Sequence, residues 1–87
     1  MRKEAQDFIG HDMRLVYVAK KLNEALLLEQ RLTEAGLDYV VESDRYKSGG
    51  IFRSERVGAF FYVAAETTEA AHRMLRQSGY VPFEEQL

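Results

Sequence analysis

The residues best placed to do chemistry lie between positions 45 and 56, where Arg45, Lys47, Arg53 and Arg56 stand against the single acid Glu55. Their local balance of +3 belongs to a chain whose formal total is −2. Ser48, Gly49 and Gly50 sit at the centre of the run. Backbone amides unobstructed by side chains, ringed by cations, are suited to cradling an anionic group. The expected ligand-binding set is therefore Arg45, Lys47, Ser48, Gly49, Gly50, Arg53 and Arg56, taking a small anionic metabolite or a partner protein. The competing expectation is a solvated hairpin tip whose charges guard an exposed edge against aggregation. The run lacks the Gly-x-x-x-x-Gly-Lys spacing of a P-loop.

Other chemistries find less support. The two histidines are His11 and His72, and Glu69 precedes His72 by three positions. That spacing places a carboxylate and an imidazole on one helix face, but a zinc site needs three or four ligands. A solvated helix face is the expectation, with no metal. No cysteine is present, which excludes disulfides, thiolate metal sites and cysteine nucleophiles. No serine occupies a Gly-x-Ser-x-Gly setting, and no catalytic residue or cofactor is expected. The slight net negative charge disfavours nucleic acid. Placing Gly58 on the glycine of the RNA-recognition motif puts Val57, Ala59 and Phe60 where a basic, an aromatic and a small residue belong.

The elements that must carry these residues are announced by an internal repeat. Tyr17-Val18-Ala19 returns as Tyr62-Val63-Ala64, and Glu24-Ala25 as Glu69-Ala70, both 45 residues later. Leu32 and Gly36 return as Leu75 and Gly79 at an offset of 43. Each copy reads as strand, helix, glycine stop and strand. The pair predicts an α+β domain of ferredoxin-like β-α-β-β-α-β order, a four-stranded antiparallel sheet with two helices on one face.

The strands are expected at Met13 to Ala19, Leu37 to Asp44, Ala59 to Ala64 and Tyr80 to Phe83, the third being central. Ile51-Phe52 is expected to extend the hairpin. Helices are expected from Leu22 to Ala35 and from Thr67 to Ser78. The first buries Ala25, Leu28, Leu32 and Ala35, leaves Leu27 outside, and starts near Asn23. The second buries Ala70, Ala71, Met74 and Leu75. Gly36 and Gly79 suit the left-handed position after each last turn. Residues 1–12 are expected to form a polar arm, loose or docked as a short segment, before a single domain at 13–87. They contain no apolar run of a signal peptide, and no stretch approaches the roughly 20 apolar residues of a membrane span. A soluble, cytoplasmic protein without membrane contact is expected.

Right-handed crossovers leave one sheet face without helices, yet both faces are apolar. Either Val16, Val18, Phe61 and Val63, or Leu15, Tyr17, Phe60 and Tyr62, must then lie on the open side. Such a patch usually marks an interface, which predicts a homo-oligomer packed through the sheet. The alternative cover is the arm, with Phe8 and Ile9.

Tyr17-Val18-Ala19, Glu24-Ala25, the helically spaced leucines and Ala35-Gly36-Leu37, followed by Tyr62-Val63-Ala64, Glu69-Ala70 and Leu75, resemble a small bacterial domain family of signal-transducing proteins. Its fold is PII-like, and the resemblance spans roughly residues 14 to 80. It implies a regulatory role, since PII regulators bind nucleotides and partners through a long loop between the second and third strands. Residues 45 to 56 occupy that place without a nucleotide-binding motif. The long polar N-terminus and the lack of a proline at the first helix start depart from the family. The preferred reading is a non-enzymatic regulatory or interaction domain. Its rival is a small dimeric ferredoxin-like enzyme with a hydrophobic cavity on the sheet face, for which Tyr17, Tyr62 and His72 are candidates.

Overall fold

The computed structural model describes residues 1–47 and 55–83. It is an α+β structure of β1 (Met13–Ala19), α1 (Leu22–Glu34), β2 (Val40–Lys47), β3 (Glu55–Ala64) and α2 (Thr68–Gln77). Short 3-10 turns at Ala5–Phe8 and Ala65–Thr67 precede β1 and α2. The sheet is antiparallel in the order β1-β3-β2, so the most apolar strand is central. No helix among the described residues is long and apolar enough to cross a membrane.

Helix α1 forms where the apolar spacing requires it, and Ala25, Leu28 and Leu32 are buried, but Ala35, expected in the same stripe, is the C-cap and is exposed. Lys21, not Asn23, is its N-cap. The Asn23 side chain instead accepts the Glu24 N–H at 2.8 Å from inside the first turn. Both helices end as expected. Gly36 and Gly79 adopt φ of +74° and +86°. Leu37 N–H reaches back to the Leu32 carbonyl at 3.0 Å, and Tyr80 N–H to the Leu75 carbonyl at 2.8 Å. This pairing satisfies carbonyls that the helix itself leaves open.

One core joins both helices to one sheet face. Val16, Ala19, Phe61 and Val63 meet Ala25, Leu28, Leu32, Ala71 and Leu75, with Tyr39 closing the side. Phe61 is wholly inaccessible to solvent, and its removal would cost about 3 to 5 kcal/mol. Helix α2 is turned from its expected setting, since Ala70 is exposed and His72 is buried in its place.

Two further features depart from the sequence reading, and a third decides between the two settings it left open for the arm. First, the β2–β3 ladder runs on past Asp44–Gly58 to Lys47–Glu55, because backbone pairing continues beyond the residues that have a core to cover. Second, Tyr80 to Phe83 form no strand, so the described sheet has three strands and not four. Pro82 cannot donate to a ladder. The segment packs by side chains instead: the Tyr80 ring meets Tyr17 edge-on at 5.2 Å, and Pro82 is buried. Third, the arm is docked. Arg2 bridges Tyr39 in parallel, Lys3 N–H donates to the Tyr39 carbonyl at 2.7 Å, and Ala65 N–H donates to the Asp12 carbonyl at 2.8 Å.

Candidate functional site

A β-bulge decides which side chains share a face. Leu15 opposes Tyr62, and an unbroken register would set Tyr17 opposite Phe60. Tyr17 instead opposes Phe61, and Val18 opposes Phe60, because β1 carries an extra residue between Leu15 and Tyr17. A slip of one residue exchanges faces. The helix side therefore holds Val16, Tyr17, Phe61 and Val63, and the open side holds Leu15, Val18, Phe60 and Tyr62. Neither four-residue set read from simple alternation survives intact. Tyr17 and Val18 trade places, since alternation cannot register a bulge.

The open face continues onto β2, where Val40 opposes Tyr62, Glu42 opposes Phe60, and Asp44 opposes Gly58. The arm covers one end only. Phe8 is half-buried and Val40 is buried, whereas Ile9 is 81% exposed and covers nothing. Between the 3-10 turn and the sheet lies a hollow of about 250 Å³, lined by Ala5, Phe8, Met13, Val40, Glu42 and Tyr62. Burial, with the carboxylates of Glu42 and Asp44, raises the Tyr62 pKa.

On the helix side, Tyr17 Oη donates to Glu24 Oε2 at 3.3 Å, and Lys20 N–H donates to Glu24 Oε1 at 3.1 Å. Glu24 thus ties the end of β1 to the first turn of α1, where its charge also favours the helix dipole. Burial first, then the Glu24 carboxylate, push the Tyr17 pKa up to about 12. The second copy of the repeat builds no counterpart. Tyr62 lies on the opposite face, and among the described residues Glu69 meets only Arg73, at 4.0 Å and in solvent. Tyr39 is anchored separately, its hydroxyl donating to Glu29 Oε1 at 3.1 Å.

The metal reading of Glu69 and His72 has no geometric support. Glu69 points to solvent while His72 is buried, its Nε2 without a hydrogen-bond partner among the described residues, so the expected solvated face is also wrong for His72. No metal-binding cluster occurs among the described residues. Of the candidates of the enzyme reading, Tyr17 and Tyr62 lie on opposite faces of the sheet, and His72 is buried on α2. His11 stands apart from both, its Nδ1 lying 3.3 Å from Glu66.

Of the basic set, Ser48, Gly49, Gly50 and Arg53 lie outside the described residues, as do Ile51 and Phe52. Arg45, Lys47 and Arg56 stand on the far end of the hairpin, where Arg45 opposes Val57 and Lys47 opposes Glu55. Arg45 N–H donates to Asp44 Oδ1 at 2.7 Å.

Sequence reasoning missed an apolar patch at the start of α1. Leu22, Leu26 and Val57 are 76%, 56% and 65% exposed, and Leu22 and Val57 line a shallow groove with Lys20, Lys21 and Ser43. Leu22 and Leu26 lie one turn apart and off the buried stripe, so the helical pattern that excluded Leu27 was a signal for them too. Comparison of the chain with protein-family models, curated proteins and solved structures returns no match.

Proposed function

We propose that this chain is a non-enzymatic regulatory or interaction domain that pairs with a second copy of itself through the open sheet face. One observation carries the reading: Leu15, Val18 and Phe60 lie side by side on a face that neither α1 nor α2 covers, with Tyr62 at the end that the arm reaches. Contiguous apolar surface on a sheet is normally withdrawn from water by a partner. The ferredoxin-like arrangement, with its PII-like relatives, is the fold in which we place the two helices and three described strands. In that setting the 45–56 segment is the regulatory element, receiving an anionic metabolite or a partner protein. The opposite facing of Tyr17 and Tyr62 speaks against the enzyme alternative.

The test is the solution mass. The chain is 10.0 kDa, and sedimentation should return twice that value. Phe60→Asp, and separately Val18→Lys, should return a folded single-copy species, with folding checked by circular dichroism. Leu27→Asp, on the outer face of α1, should leave the mass unchanged. A wild-type protein that sediments as one copy throughout the concentration range would sink the pairing. For the basic segment, neutralising Arg45, Lys47, Arg53 and Arg56 together should leave thermal stability nearly unchanged while abolishing any rise in melting temperature with phosphorylated metabolites. No rise in the intact protein would leave only partner docking.

A further inference from the structure

The hollow beneath the N-terminal 3-10 turn differs from the other concave surfaces in its charge. The larger groove on the opposite side of the turn, about 480 Å³, mixes Lys3 and His11 with Asp7, Asp38 and Glu66, and His11 is already met by Glu66. The groove at the start of α1 has Lys20 and Lys21 in its wall and no acid. Among the described residues that line the hollow, Glu42 is the single carboxylate between apolar and aromatic walls, and none is a cation. Among the described residues Glu42 has no ion-pair partner. Asp44, two positions along the same face, adds a second negative charge nearby.

We propose that this hollow binds a small organic ammonium ion, its charge beside the Glu42 carboxylate and its apolar body against Phe8, Met13, Val40 and Tyr62. An anion would be repelled by Glu42 and Asp44. A neutral apolar molecule would bury the edge of the carboxylate without compensating it. A cation compensates it and is also drawn to the ring faces of Phe8 and Tyr62. Burial first, and then the Glu42 and Asp44 carboxylates, raise the Tyr62 pKa, so its hydroxyl stays neutral beside them. At about 30 Å³ for each water-sized unit, the 250 Å³ volume accommodates a body of about eight heavy atoms.

The walls are held in place before any ligand arrives. Glu4 N–H donates to Asp7 Oδ2 at 3.0 Å and Asp7 N–H to the Glu4 carbonyl at 2.9 Å, which closes the turn on itself. The backbone pairing of Lys3 with Tyr39 and of Ala65 with Asp12 fastens it at both ends. Such preorganisation lowers the ordering cost of binding. The site does not rest on the two-copy reading.

The experiment is a titration of the full isotope-labelled chain with phenethylammonium chloride, followed by amide chemical shifts, with sodium chloride as the ionic-strength control. Saturable shifts confined to Ala5, Phe8, Met13, Val40, Glu42 and Tyr62 are expected. Phenethyl alcohol, of the same shape without the charge, should bind about fivefold more weakly, the factor that a partly exposed ion pair supplies. Glu42→Gln should cost the ammonium the same factor and the alcohol nothing. Phe8→Ala should weaken both. Equal affinity for the two compounds, an undiminished response in Glu42→Gln, or shifts that rise linearly without saturating would each overturn the proposal.

Discussion

Tyr17→Phe is the most informative single substitution, because it removes one hydroxyl from the link between β1 and α1 and leaves the ring against Tyr80. A hydrogen bond to a charged acceptor contributes about 1.5 to 3 kcal/mol. At 3.3 Å and only half-buried, this bond belongs at or below the bottom of that range, so the loss at neutral pH should be about 1 kcal/mol. The pH dependence is more specific. Burial and Glu24 raise the phenol from 10.0 to about 12, so the folded protein holds the proton more tightly than the unfolded chain does. The corresponding stabilisation is whole below pH 10 and is lost as the pH rises through about 12. A shift of that size in a buried group corresponds to about 2.7 kcal/mol. Solvent screening at a half-exposed ring reduces it to about 1 kcal/mol.

Urea unfolding of wild type and Tyr17→Phe across pH 9 to 12 should therefore show the wild-type unfolding free energy falling more steeply, with the two curves converging at the alkaline end. Tyr39 and Tyr62 are also raised and remain in both proteins, so the difference isolates Tyr17. Glu24→Gln should remove the carboxylate's part of the effect and leave the part due to burial. Parallel curves for wild type and Tyr17→Phe would refute the assignment of the link.

Two further substitutions test the frame. Gly36→Ala should lower stability by about 1 kcal/mol in urea unfolding, since a side chain at φ of +74° is strained although its Cβ would meet nothing within 4 Å; an unchanged midpoint would contradict the left-handed cap. His72→Leu should raise stability by about 1 kcal/mol, because it removes a buried Nε2 that has no hydrogen-bond partner among the described residues and keeps the apolar contact. A fall in the melting temperature of His72→Leu would show that Nε2 has a partner in solution.

The helical stripe of Ala25, Leu28 and Leu32 and the two glycine stops were legible because both follow from local chemistry repeated at fixed spacing. The strand Met13–Ala19 was equally legible in extent. Its facing was not, because the bulge is a property of how β1 pairs with β3 and leaves no mark on alternation. The facing ends of β2 and β3 were set too short, at Asp44 and Ala59, for a related reason: Arg45, Arg56 and Val57 pair through backbone groups, to which hydrophobic patterning is blind. The last strand was read where none forms, since the apolar run from Tyr80 to Phe83 was weighted above the missing donor of Pro82. His72 shows the limit on a helix, where the rotation that chose it over Ala70 came from packing and not from the spacing of apolar residues.

By itself, the sequence determined the α+β class, the number and order of the helices, their glycine stops, and the surplus of apolar side chains in the strands. These depend on periodicity and backbone conformational freedom, which act over a few neighbouring residues. Only the tertiary structure decided that Tyr17 turns inward to Glu24 while Tyr62 faces outward beside Glu42, although the sequence writes them as equivalents. One extra residue in β1 separates them, and its effect exists only once two strands are paired. The docked arm belongs to the same category: Phe8 and Glu42 share a hollow because residues far apart in the chain meet across a sheet.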